Sequence, residues 1–332
     1  MILLESFWFS INAIVPIIFF IFLGYILRKK AYIDKYISSI LNKYIFYFGL
    51  PALFFFNVYN IKTLKNIDLS KPILLSIAIL VIYFLSFLFK SKKNESAIIR
   101  IAMLRTSYAM IGVTLVSFFS NDVAFEYVGI TSIFVIPVVN TLTLVLLFRK
   151  EDYEKNNQYI FKLLKEIFLN PLQVSIFLGI IFVLGKTFFI YSNGQPIILI
   201  ERDIPFMYTI IRLFSITASP IALLSLGSQF DLSEVKKNKK EILLSITLRN
   251  IFIPVLMVSV VTYLSYLDKS YIDIIPSIIA VFASPVAAST LVLVERFKQN
   301  SVLAGQIVVW TTICSSVTLF VILTFLRIIN LI

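Results

Sequence analysis

PIIFFIFLG, residues 16 to 24, returns as PLQVSIFLG at residues 171 to 179. In both stretches a proline stands eight positions before a glycine, and most of the residues between are apolar. KYIFYFGLPAL carries Lys43 eight residues before Pro51, and RLFSITASPIAL carries Arg212 eight residues before Pro220. Two matched pairs in the same order point to a duplicated chain. Coincidence among apolar runs is the competing explanation.

The surroundings of these stretches fix the class. Of 332 residues, 59% are hydrophobic and 14% charged, and the mean hydropathy is +0.93, more apolar than a soluble core of this length needs. The chain reads as an all-α integral membrane protein. Apolar windows of the roughly twenty residues needed to cross a ~30 Å hydrocarbon layer recur about ten times. In the first half they fall at Phe7 to Leu27, Ile40 to Tyr59, Pro72 to Phe89, Ala97 to Phe119 and Phe125 to Phe148. In the second half they fall at Ile167 to Tyr191, Pro205 to Leu226, Ile242 to Leu267, Ile274 to Val294 and Ser301 to Ile329. The first span follows MILLESFWFS, which has Glu5, no basic residue and no small-residue cleavage site after it, so it does not read as a removable signal.

Basic residues cluster after the odd-numbered spans: Arg28, Lys29, Lys30 and Lys35; Lys90, Lys92 and Lys93; Arg149, Lys150, Lys155, Lys162 and Lys165; Lys236, Lys237, Lys239 and Lys240; Arg296 and Lys298. The richest of the other loops holds Lys62, Lys65 and Lys71. The positive-inside rule then puts both termini outside a cell (plasma) membrane. The net charge of +12 is mostly this topology signal, together with attraction to anionic lipid headgroups, and needs no nucleic-acid partner.

Five spans per half is an odd number, so the second copy enters the bilayer from the opposite side. The expected organisation is a first five-helix repeat over 1–148, a cytoplasmic connecting segment over 149–166 and an inverted five-helix repeat over 167–332. The connecting segment reads as a short amphipathic helix on the membrane surface. Inverted repeats place a site near the midplane, often on interrupted helices whose ends aim partial charges at a ligand. Spans four and nine hold equivalent positions. Span four offers Ser107, Gly112 and Thr114; span nine offers Pro276, Ser284, Pro285, Ser289 and Thr290. Proline lacks a backbone donor and clashes with the preceding turn, so a break is expected at Pro285. Gly112 permits a break, or else serves close packing.

Function classes narrow by absence. There is no histidine and only one cysteine, Cys314, so no intramolecular disulfide forms and neither zinc nor redox chemistry is expected. No clustered acidic base replaces the missing imidazole and the loops are short, so the chain does not read as an enzyme. No cofactor is expected.

The opening PIIFFIFLGYILRK, YFGLPALFF in span two, SPIALLSLG in span seven and ASPVAASTLVLVERF in span nine resemble, in their order and spacing, the auxin efflux carrier family, which includes plant auxin exporters and bacterial permeases annotated for malate or malonate. The resemblance covers nearly the whole chain. It implies ten helices in two inverted five-helix repeats, each split between a scaffold part and a transport part, with broken, crossing fourth and ninth helices making the substrate site. It also makes a homodimer plausible. Family members often show N-T-x-x-x-G-x-P at the first break. Here Ser107 stands at the asparagine position and Thr114 at the proline position, and a hydroxyl lacks the second donor of an amide.

The expected function is carriage of a small organic anion, a carboxylate above all, by alternating access. Substrate-binding candidates are Arg105, Ser107, Tyr108, Gly112, Thr114, Ser284, Pro285 and Ser289, with Gly112, Pro285, Pro51 and Pro220 as break or hinge positions. Arg105 has two readings. Its guanidinium reaches inward to a ligand or snorkels back to the interface. Arg249 has a similar choice between ligand and cap, while Lys43 and Arg212 suit packing and interface anchoring. Asn140, Thr141, Thr311, Thr312 and Ser315 suit hydrogen bonds between helices. No acidic residue lies deep in a span, which favours a facilitator or exchanger. A sodium- or proton-coupled symporter of the same fold, with backbone carbonyls binding the ion, and a non-transporting receptor are the alternatives.

Overall fold

A computed structural model of the protein describes residues 2–61, 68–89, 93–116, 122–148, 161, 164–165, 167–188, 198–228, 238–329 and 331–332. No strand occurs among the described residues. Most of the connecting segment expected over 149–166 lies outside them.

The main helices are α1 Ile2–Lys29, α2 Lys35–Tyr59, α3 Ser70–Ser86, α4 Lys93–Leu104, α5 over 108–116, α6 Asp122–Leu147, α7 Pro171–Phe188, α8 Pro205–Ser228, α9 Lys239–Leu267, α10 over 275–283, α11 Ser289–Arg296 and α12 Ser301–Ile328. Within the described residues six stretches are long and apolar enough to cross a bilayer: α2, Tyr127–Leu147 of α6, α7, α8, α9 and α12. α3 is a shorter apolar helix. The windows expected as spans four and nine are each divided into two shorter helices, α4 with α5 and α10 with α11.

Side chains are sorted against lipid rather than water. Phe84 is 69% exposed, and Phe19, Phe22, Leu213, Ile216 and Val317 also face outward, while Arg249, Asn250, Ser277, Ser284 and Thr311 are buried. A soluble protein does the reverse. The exposed apolar surface suits hydrocarbon, and the Arg249 guanidinium, the Asn250 amide nitrogen and the Thr311 hydroxyl find partners inside the protein. The chain is an all-α, multi-pass membrane protein.

Prolines shape the long helices in different ways. α2 widens into a π-helical turn at Ile45–Gly49 just before Pro51, and α9 does the same at Thr247–Phe252 just before Pro254. A proline removes one backbone donor and crowds the carbonyl four residues earlier, and a local π turn takes up that misfit without ending the helix. Pro220 lies inside the uninterrupted α8. Neither Pro51 nor Pro220, expected as break or hinge positions, interrupts its helix.

The helices pack as two groups. In one, α1 lies along α8, and α2 lies along α7 and α8. In the other, α6 packs on α3, α4 and α10, while α12 packs on α4, α9 and α11. Within the first group the backbones nearly touch. A methyl group on Gly24 of α1 would lie 2.1 Å from the Leu224 carbonyl oxygen, and one on Gly227 of α8 would lie 1.9 Å from that of Ile21. Only two glycines admit so close a crossing. Between the groups run α1 against α12 and α2 against α6, and Asn42 Nδ2 of α2 donates to Glu295 Oε2 of α11 at 2.6 Å.

Candidate functional site

The two interruptions meet. The first covers Arg105–Ser107, between α4 and α5; the second starts at Ser284, whose ψ of 148° is the extended backbone that a following proline favours. Ser107 N donates to the Pro285 carbonyl at 2.8 Å, and Thr106 Oγ1 to the Ala280 carbonyl at 3.3 Å. The chain therefore breaks five residues before Gly112 at the latest. Gly112 has a different task, because a methyl there would lie 2.7 Å from the Ala280 oxygen and 2.9 Å from its Cα. It sits where α5 crosses α10 in backbone contact.

Broken helices have free ends at their centre, and here the ends are sorted by sign. α4 and α10 finish at the crossing, leaving C-terminal carbonyls with negative partial charge; α5 and α11 start there, with N–H groups of positive partial charge. The C-terminal ends face Arg249. Its Nε and Nη2 donate to the Ser284 carbonyl at 3.0 and 2.8 Å, Nη2 also to Val281 at 2.8 Å, and Nη1 to Met103 at 3.1 Å. The π turn Thr247–Phe252 carries this side chain to both ends at once. The adjacent Asn250 uses Nδ2 to bond the Thr311 carbonyl of α12 at 2.7 Å.

The N-terminal ends face Arg105. This side chain is 3% exposed, so it does not snorkel to the interface. Nη2 donates to Ser289 Oγ at 2.6 Å, on the first residue of α11, and Nη1 to Asn140 Oδ1 of α6 at 3.2 Å. Both partners are neutral. Arg105 Nε and Asn140 Nδ2 are buried with no protein partner, and both are donors. A cavity of about 30 Å³ adjoins them, lined by Leu50, Phe54, Arg105, Thr106, Ser107, Tyr108, Val135, Ile136, Val139, Asn140, Ala287 and Ser289. That volume suits roughly one or two waters, too little for a carboxylate.

Of the expected site residues, the structure brings Arg105, Ser107, Tyr108 and Ser289 to this cavity. Pro285 adjoins it through the bond from Ser107. Tyr108 turns its hydroxyl away to the Val128 carbonyl of α6. Ser284 lends its carbonyl to Arg249, and its own hydroxyl is buried without a protein partner. Gly112 lies at the crossing, and the Thr114 side chain is outside the described residues. Asn140, for which a hydrogen bond between helices is the favoured expectation, makes one, and that bond is to the cation. A lone amide in an apolar span was the available signal, and its distance of 35 residues from Arg105 hid the pairing.

A second hollow of about 250 Å³ opens between α2 and α11, lined by Ser39, Asn42, Lys43, Phe46, Tyr47, Val292, Glu295 and Arg296. It lies between one helix of each packing group. Arg296 lies over the Phe46 ring at 4.9 Å, and the Asn42–Glu295 bond spans the gap.

No curated protein matches the chain. The family described as membrane transport protein matches residues 9–323, nearly the whole length, and it is a family of transporters rather than of enzymes. A helical membrane protein whose two interrupted helices cross at a buried cation thus belongs, by this match, to the membrane transport protein family, that of the auxin efflux carriers.

Proposed function

We propose that the protein is a secondary carrier of a small organic anion, a carboxylate, working by alternating access with its site where the fourth and ninth spans cross. The observation that carries this reading is the pair of unpartnered donors, Arg105 Nε and Asn140 Nδ2, beside the N-terminal ends of two half-helices. No carboxylate is bonded to Arg105 among the described residues. An ionised carboxylate accepts only, and it complements such a set of donors. The small volume of the cavity supports a cycle in which the groups separate to admit the anion.

Ten spans in two inverted repeats, 1–148 and 167–332, complete the proposal, with both termini outside, the 149–166 segment cytoplasmic and the cell membrane as the location. Several features support the repeat. ILLSI occurs at 73–77 and again at 242–246, offset by the same distance as Pro51 and Pro220. Gly49 and Ala218, each two residues before its proline, touch one another, as equivalent residues do on a local two-fold axis. Gly24 of α1 packs on α8, and its counterpart Gly179 of α7 packs on Val58 of α2. Under this reading α1, α2, α7 and α8 form the scaffold and the remaining helices the moving part.

Uptake of radiolabelled dicarboxylates into proteoliposomes tests the function. Wild-type protein is expected to give saturable flux and Arg105→Ala little or none. Equal flux from a folded Arg105→Ala variant removes Arg105 from the site, and absence of flux for every small carboxylate tried defeats the anion reading.

A further inference from the structure

We infer that Arg249 occupies, with its own side chain, the cation position that broken-helix carriers leave open for sodium, so that this carbonyl cluster binds no coupling ion. The inference rests on the carrier reading above and settles one choice within it, between a sodium symporter and a carrier that runs without sodium.

The geometry begins with three carbonyl oxygens. Met103 stands in the last turn of α4, Val281 in the last turn of α10, and Ser284 is the residue that ends α10. At these ends the helix carbonyls lose their intrahelical partners, and the aligned peptide dipoles add a negative partial charge. Buried in a membrane protein, away from water, such oxygens demand donors or a cation. In discontinuous transporter helices unwound carbonyls and half-helix C-termini supply sodium ligands. Here one guanidinium meets all three oxygens at 2.8 to 3.1 Å through four hydrogen bonds.

Arg249 is 1% exposed. Its planar fork, charged at neutral pH, suits several acceptors held in one place. The arrangement belongs to one half of the chain only. In the register set by the two ILLSI runs, the counterpart of Arg249 is Leu80, a largely outward-facing apolar residue. A tethered cation differs from sodium in one respect that matters for transport. It satisfies the helix ends without dissociating, so no ion enters or leaves at this cluster as the cycle turns.

The test is thermal unfolding of the purified full-length protein in sodium chloride, in choline chloride, and in choline chloride with a few millimolar guanidinium chloride. Wild-type unfolding temperature is expected to be the same in sodium and in choline. Arg249→Ala is expected to unfold about 5–10 °C lower and to recover at least half of that loss, saturably, with guanidinium. Arg249→Lys, which keeps a charge but loses the fork, should fall between the two and stay indifferent to sodium. Saturable stabilisation of the wild type by sodium over choline would overturn the inference. So would a folded Arg249→Ala variant as stable as wild type. Where Arg249→Ala yields no folded protein, the wild-type comparison decides alone. No substrate enters this assay, so its failure is separable from failure of the anion reading.

Discussion

Two buried arginines stand on opposite sides of one helix crossing, and they are used in opposite ways. Arg249 makes four hydrogen bonds, all to backbone carbonyls. Arg105 makes two, to the neutral side chains of Asn140 and Ser289, and keeps Nε unpartnered beside a cavity. The difference follows from which helix ends each one faces. Carbonyl ends saturate a cation; N–H ends cannot, and they leave its charge available to a ligand. A buried charge is therefore a functional candidate only to the degree that its donors are left uncommitted.

Variants can break this contrast, taken here in order of cost to the fold. Arg249→Ala strands three buried carbonyls and is expected to cost about 3–5 kcal/mol, read as lost thermal stability; a cost below about 1 kcal/mol would make the two arginines alike. Gly112→Ala drives a methyl into the Ala280 backbone and should cost about 1–3 kcal/mol by overpacking. Flux should fall with it, because the two breaks can no longer approach. Arg105→Ala should change stability by no more than about 1 kcal/mol, because its partners are two neutral groups beside a cavity, while flux drops by more than about tenfold. Asn140→Asp sharpens the comparison most finely. It supplies the carboxylate that Arg105 lacks, so stability should hold within about 1 kcal/mol and anion affinity should fall about tenfold, measured by ligand-induced thermal shift.

Some features are legible in the sequence because a local rule sets them. Pro285 forces an extended Ser284 and ends a helix with no help from the rest of the chain. Arg105 is legible as well, because a cation deep in an apolar window is costly wherever it points. The first break has no such local signal. With no proline in span four, the interruption is set by contact with span nine, and it falls at Arg105–Ser107 while Gly112 serves the crossing. Arg249 and Asn140 are ambiguous in sequence for a related reason. Their roles depend on partners 146 and 35 residues away, and nothing in LRNIFIP or in VVNTLT says which helix ends will converge there.

If the crossing moves through the membrane as proposed, the pairing of Arg105 and Arg249 would also make the protein sensitive to voltage. Both guanidinium groups lie in or against the same crossing, and neither is bonded to a carboxylate among the described residues. Each unit charge that moves through 100 mV gains or loses about 2.3 kcal/mol. In that cycle an unloaded crossing would feel the force twice over and a bound dianion would cancel it, so the electric field would act on the return stroke and spare the loaded one.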